Sequence, residues 1–208
     1  MRFGYWLPVF GGWLRNVPDE GMDASWPYVQ RLARRSEEIG FDLTLIAELF
    51  LNDIKGIEAP ALDAWSTAAA LAAVTHRLEL MVAVRPTFHH PATLAKQAAN
   101  IDRISNGRLS LNVVSSWWKD EARRYGSQFD EHDDRYARTS EWLEVLRGAW
   151  SQPSTTYRGV LLSGRGPCRR AQAGFELRTP ASGALCRRRI GGGAHADLEP
   201  VRCLRHAR

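Results

Sequence analysis

Residues 100–142 read NIDRISNGRLSLNVVSSWWKDEARRYGSQFDEHDDRYARTSEW. A helix-like segment ends at an Asn106-Gly107 turn, and the apolar run Leu109 to Val114 follows it. That run opens into a polar and aromatic loop, and an amphipathic helix begins after an Asp-rich segment. Helix, tight turn, strand, loop and helix make up the repeating step of a parallel α/β protein. In such folds the loops after the carboxyl ends of the strands carry the chemistry.

The same step recurs upstream of this stretch. Apolar runs bounded by turn residues predict strands, and apolar residues spaced i, i+3, i+4 predict the helices between them. Four consecutive βα units with short connections imply right-handed crossovers and a parallel sheet. Periodicity alone does not distinguish a half barrel from an open doubly wound sheet. No G-x-G-x-x-G motif follows a predicted strand, which argues against dinucleotide binding. The predicted strands are Arg2 to Pro8, Phe41 to Glu48, Leu78 to Val84 and Leu109 to Val114, and the predicted helices are Ser25 to Ile39, Asp63 to Thr75, Pro91 to Ser105 and Tyr136 to Trp150.

The length of 208 residues suits one α/β domain and is short for a complete eight-stranded barrel, which needs about 250 residues. No apolar run reaches the roughly 20 residues that span a membrane, and the first strand lacks the features of a signal peptide. We therefore expect a cytoplasmic protein without a membrane partner. His89 and His90 have no further ligands at useful spacing, so no metal site is expected.

Three segments, in this order along the chain, resemble the bacterial-luciferase-like flavin-dependent monooxygenases: FGYWLPV, NGRLSLNVVSSWWKDE and EHDDRYARTSEWL. Within that superfamily they are most similar to the group of alkanesulfonate, dimethylsulfone and pyrimidine monooxygenases. The resemblance covers residues 1–159 and implies the N-terminal half of a TIM (β/α)8 barrel. It also implies reduced FMN (FMNH2) from a separate NAD(P)H:flavin reductase, O2 activated as a flavin C4a-peroxide, a small organosulfur or related substrate, and a homo-oligomer.

The resemblance also implies a set of cofactor-binding residues, whereas the catalytic residues stay unknown. Asn112 is expected beside the flavin ring, because its amide both donates and accepts hydrogen bonds. Arg135 and Tyr136 are expected at the FMN phosphate, near a helix start whose dipole favours an anion. The other expected cofactor contacts are Glu48, Leu49, Ser115 and Glu121.

Structural roles compete with these assignments. Asn112 and Ser115 could satisfy loop backbone, Glu121 could be a solvated loop acid, and Arg135 could pair with Glu131 on its own helix. Tryptophans in or near carboxyl-end loops could line an apolar substrate pocket, although core packing explains the first of them equally well. These tryptophans are Trp6, Trp13, Trp117 and Trp118.

The segment 160–208 differs from the rest of the chain. It holds 10 Arg, no Lys and 3 acidic residues, a net charge of +7 that leaves −2 for residues 1–159. It shows neither helical nor strand periodicity, and its three cysteines form no C-x-x-C pair that would suggest zinc. A nucleic-acid-binding tail would carry Lys and interleaved aromatic residues, so no nucleic-acid partner is expected.

A frameshift accounts for this composition. Synonymous codons for Ser182 to Ala207, moved by one base, can encode PALYAGGESEAAHTLISSQCDAYVMH. The YAGGESEAA part resembles the family's fifth-strand loop, which binds the FMN phosphate. We therefore expect a one-base shift between about Gly159 and Pro167, and a chain that by itself is poorly folded and inactive.

Two other functions stay open on the sequence. One is an F420-dependent oxidoreductase built on the same barrel. The other is a non-catalytic interaction protein that uses the basic tail to bind an anionic partner.

Overall fold

The computed structural model describes residues 1–151, 154–159, 162, 173–178 and 190–192. Its strands are β1 Gly4–Trp6, β2 Leu43–Ile46, β3 Glu79–Val84, β4 Leu109–Val113, β5 Ser154–Gly159, β6 Ala173–Arg178 and β7 Ile190–Gly192. Its helices are α1 Trp26–Glu38, α2 Ala64–Val74, α3 Pro91–Ile104, α4 Lys119–Arg124 and α5 His132–Ser151.

The chain divides into two compact units, and the first contains a parallel sheet. Residues 1–84, 100–113 and 190–192 belong to this unit. Its five strands lie in the order β1-β2-β3-β4-β7, and every neighbouring pair is parallel. The first four strands follow one another in chain order with a helix after each. This arrangement confirms the predicted α/β fold with four βα units.

Alternate residues of the strands point to opposite faces of the sheet, and the two faces differ in burial. Register partners Ile46, Val82 and Leu111 are fully or almost fully buried. Helix α2 packs against β2 and β3, which accounts for a covered face. On the opposite face, Leu45 and Met81 are register partners and only half-buried. We call this second face the open face.

Local chemistry places the ends of the elements. Asp63 caps α2, because its carboxylate accepts the backbone N–H of Ser66 at 2.7 Å. The predicted turn between α3 and β4 is present, with positive φ angles of 57° at Asn106 and 82° at Gly107. Asparagine and glycine tolerate this left-handed backbone better than other residues do.

Glu37, in the last turn of α1, joins that helix to the segment before β3. Its buried carboxylate accepts the backbone N–H groups of His76 at 2.9 Å, Leu78 at 2.7 Å, and Arg77. These three N–H groups precede or begin the strand, where the sheet does not yet supply acceptors. A single side chain therefore fixes the entry of the chain into β3.

The second unit contains α4, α5 and the antiparallel pair β5–β6. Trp142 on α5 is fully buried, and its indole N–H donates to the carbonyl of His89 at 2.7 Å. About two helical turns further along, Trp150 donates to the carbonyl of Ala95 at 3.1 Å. Two buried indoles thus fasten α5 to the segment 85–99.

The observed elements differ from the predicted ones in several places, one of which is strand β5 at Ser154–Gly159, which was not predicted. Helix α5 begins at His132 rather than at Tyr136, with Asp133 and Asp134 in its first turn, where carboxylates favour a helix start. The short helix α4 was not predicted. Strands β6 and β7 lie beyond residue 159, and β7 pairs with the distant β4, a contact that periodicity does not report. The rest of the predicted frameshifted segment, 160–208, lies outside the described residues.

Among the helices of the described ranges, none combines the length and apolarity that a membrane-spanning segment needs.

Candidate cofactor site

Asn112 lies near the carboxyl end of β4, on the open face of the first unit. Its register partners are Ala83 on β3 and Gly191 on β7. Because paired residues share a face, the half-buried Asn112 amide stands between a methyl group and a residue without a side chain. Asn112 is therefore the one residue of this row whose side chain can donate and accept hydrogen bonds. A flat heteroaromatic ring with a polar edge fits such a surface.

Glu48 and Leu49 lie two and three residues after the end of β2. The Glu48 side chain is buried, and its Oε1 accepts the indole N–H of Trp65 at 3.0 Å. Trp65 lies at the start of α2, so the helix that follows the strand orients the carboxylate at the strand's end. Leu49 is half-buried beside it in sequence.

Glu121 occupies a buried ion pair in the second unit. Its carboxylate accepts a hydrogen bond from the guanidinium of Arg85, and the side chains are 0% and 2% exposed respectively. The Arg85 guanidinium also lies 4.3 Å from the ring centroid of Phe88. Glu121 is therefore a buried acid rather than the solvated loop acid that the sequence left open, and its predicted contact with the cofactor stays a prediction.

Ser115 is tied to α5 by a hydroxyl chain. Its Oγ lies 2.9 Å from Oγ1 of Thr139, which donates to the carbonyl of Arg135 at 2.8 Å. The neighbouring Ser116 is buried, and its Oγ has no hydrogen-bond partner within the described residues. Ser115 is thus held by a hydrogen bond to α5, whereas the Ser116 hydroxyl has no hydrogen-bond partner among the described residues.

Arg135 and Tyr136 lie in the first turns of α5. The Arg135 guanidinium donates to the carbonyl of Asp130 at 2.9 Å and lies 4.6 Å from the centroid of Phe129. Its buried Nε has no partner among the residues that the structure describes. Tyr136 is exposed and lies against His132, with 4.9 Å between the ring centroids. A further donor is thus available on Arg135, and the predicted phosphate contact stays a prediction.

The tryptophans form two separate pairs. Trp6 and Trp13 meet edge to face in the first unit, with centroids 4.9 Å apart. Trp117 and Trp118 stack in the second unit, with centroids 5.8 Å apart and planes 9° from parallel. In each pair the first residue is more than half exposed.

The predicted site residues therefore fall into two groups, one per unit. The first unit holds Glu48, Leu49 and Asn112, and the second holds Ser115, Glu121, Arg135 and Tyr136. The sequence did not point to the partners that orient several of them, since each lies far along the chain. Those partners are Trp65, Arg85 and Thr139. Within the described ranges, no group of three or more His, Cys, Asp or Glu side chains could hold a metal ion.

Comparison with known proteins decides the family. The model of the luciferase-like monooxygenase family matches residues 1–180. The chain belongs to this family. The luciferase-like chain is 36% identical over 160 residues to an FMNH2-dependent dimethylsulfone monooxygenase of Pseudomonas fluorescens. That match covers 76% of this chain and 43% of the relative.

Two further relatives extend the comparison. A dibenzothiophene-sulfone monooxygenase of Rhodococcus erythropolis is 35% identical over 154 residues, which are 68% of this chain and 34% of that protein. The solved EDTA monooxygenase of Chelativorans sp. BNC1 is 27% identical, with a TM-score of 0.61 over 73% of this chain and 38% of that one. The luciferase-like chain thus spans less than half the length of these relatives.

Proposed function

We propose that this luciferase-like chain contributes part of the flavin site of an FMNH2-dependent monooxygenase that acts on a small sulfone. The relatives named for FMNH2, dimethylsulfone and dibenzothiophene sulfone support the cofactor and the substrate class. The observation that carries the proposal is Asn112 near the carboxyl end of β4, whose amide lies beside the small Ala83 in the register of β3 and β4.

Reduced FMN, when bound, supplies the electrons that activate O2, and a separate flavin reductase delivers it. The chain's own residues position the ring and set its surroundings. Asn112 donates to and accepts from the polar edge of the ring, which fixes its orientation. Glu48 keeps its carboxylate at the end of β2 because Trp65 donates to it, and Leu49 adds apolar surface beside it.

Binding of FMN by the purified 208-residue chain tests the proposal. We expect weak but measurable quenching of FMN fluorescence, and about a five- to thirtyfold loss of affinity in Asn112→Leu, since the lost hydrogen bonds contribute on the order of 1–2 kcal/mol. Asn100→Leu, which changes an exposed asparagine, is the control. Preferential binding of F420, or equal affinity in the two variants, would contradict the proposal.

We also propose that residues 1–159 carry the site, and that a one-base shift produced the segment 160–208. The chain alone would then bind FMN weakly and show no sulfone-dependent O2 consumption in the presence of a flavin reductase. Sequencing the encoding DNA is decisive, because codons in the second frame must read as a family-like fifth strand and loop. Turnover by the purified chain would refute the inactivity.

A further inference from the structure

Trp6 and Trp13 form an aromatic corner on the open face. Trp6 ends β1, shares its register row with Leu45 and Met81, and is 54% exposed. Trp13 packs edge to face against Trp6, with planes 75° apart, and against the buried Phe10 at 5.4 Å. More than half of the Trp6 surface thus stays uncovered, and the Trp13 ring stands nearly perpendicular beside it. A further aromatic ring can pack on exposed indole surface by offset or edge-to-face contact.

A buried ion pair holds Trp13 in this position. The Glu20 carboxylate accepts the backbone N–H groups of Trp13 at 2.8 Å and Leu14 at 2.7 Å. Lys55 donates to Glu20 at 2.7 Å, to the carbonyl of Leu14 at 2.9 Å, and to the carbonyl of Val17. The Lys55 and Glu20 side chains are 9% and 10% exposed. Lys55 and the two N–H groups hold the pKa of Glu20 below its usual value.

Other features also fix the conformation of the loop that carries Trp13. Gly12 has a φ of 119°, and a Cβ at that position would overlap the Glu20 carboxylate. The indole N–H of Trp13 is buried without a hydrogen-bond partner within the described residues. The ring is therefore held by its packing and by the backbone hydrogen bonds of Trp13 and Leu14 to Glu20. Arg15 ties the same loop to Asp53 through an ion pair at 2.7 Å.

We propose that Trp6 and Trp13 recognise an aryl group of the substrate, and that the Lys55–Glu20 pair is the positioning element of this aromatic corner. The inference rests on the proposed sulfone monooxygenase function and narrows its substrate class to aryl sulfones. The exposed indole surface of Trp6 accepts the flat ring, whereas a dialkyl sulfone leaves that surface unused. The corner therefore selects substrates by aromatic contact rather than by charge.

Two sulfones that differ only in the ring test the inference: methyl phenyl sulfone and dimethyl sulfone. Ligand-observed NMR titrations of the full chain measure both affinities and so give an aryl preference. We expect the wild type to bind the aryl sulfone about three- to tenfold more tightly, as one aromatic contact supplies. Trp6→Leu is expected to abolish that preference. Phe3→Leu, which changes an exposed aromatic residue just before the same strand, is expected to retain it.

The ion pair is tested in the same titrations. Lys55→Met is expected to reduce the aryl preference, whereas Lys55→Arg and Arg15→Ala are expected to keep it. Circular dichroism of each variant identifies any that unfold, and Lys55→Arg keeps the test informative if Lys55→Met does. Equal affinities of the wild type for the two sulfones, binding of neither, or equal effects of Trp6→Leu and Phe3→Leu would overturn the inference.

The result of this test can be distinguished from the result of the test of FMN binding. FMN titrations of the same variants are expected to give wild-type affinity for Trp6→Leu. An aryl preference without FMN binding would reject the cofactor proposal alone, and FMN binding without an aryl preference would reject the aromatic corner alone.

Discussion

Replacing Glu121 with glutamine decides whether this residue supports the fold or touches the cofactor. Glu121→Gln keeps the shape of the side chain but removes the negative charge that faces the buried guanidinium of Arg85. Breaking one side of a buried ion pair costs about 3–5 kcal/mol, because the remaining charge stays without compensation. At a typical urea dependence of about 2 kcal/mol per molar, the unfolding midpoint should fall by roughly 1.5–2.5 M.

Urea unfolding followed by far-UV circular dichroism measures this shift. Asp120→Asn is the matched control, because Asp120 precedes Glu121 and pairs with Arg123 at 3.5 Å while both side chains are more than 70% exposed. An exposed pair of this kind contributes about 0–1 kcal/mol. The double variant Arg85→Met with Glu121→Leu should recover most of the loss, since apolar replacement of a buried pair is often neutral. A midpoint for Glu121→Gln equal to that of Asp120→Asn, together with a tenfold weaker FMN affinity, would refute this reasoning.

Further predictions concern the ends of α1 and α2. Glu37→Ala should cost about 3 kcal/mol in the same urea assay, since three backbone N–H groups lose their acceptor, whereas Glu38→Ala should stay within about 0.5 kcal/mol. Burial alone would raise the pKa of Glu37, but the N–H groups and Arg108 outweigh it and lower the pKa below 4.5. The stabilisation by Glu37 is therefore complete above that ordinary value and is lost as the pH falls through the lowered folded-state pKa. The difference between wild type and Glu37→Gln should narrow in acid, and a constant difference from pH 7 to pH 3 would contradict this sign. Asp63→Ala should cost about 1 kcal/mol through loss of the α2 cap, and an unchanged midpoint would exclude a capping role.

Sequence patterns predicted the elements whose causes are local. The turn at Asn106 and Gly107 and the helix predicted over Asp63 to Thr75 are both present. Each depends on residues within a few positions of one another. Strand ends were placed up to two residues too wide, since buried apolar side chains continue past the ends of the strands. Leu7, for example, is fully buried but lies after the end of β1.

Contacts between distant residues could not be predicted in the same way. Glu121 and Arg85 lie 36 positions apart, and no spacing rule joins an acid in a short helix to the residue after a strand. The same holds for Trp65 and Glu48, and for Lys55 and Glu20. The resemblance to the family indicated which residues to examine, but only the fold shows which of them are oriented by a partner.

The difference in burial between the two sheet faces has a consequence for protein engineering. Along β2 and β3, odd-numbered side chains lie on the open face and even-numbered side chains lie on the covered face. Leu45 and Met81 can be randomised together to search for new specificity, because their side chains do not contribute to the helix-covered layer. Ile46 and Val82, one step away on the same strands, should remain fixed in such a library. The alternation of side chains along the strands thus separates the positions that can be varied from those that must be kept for folding.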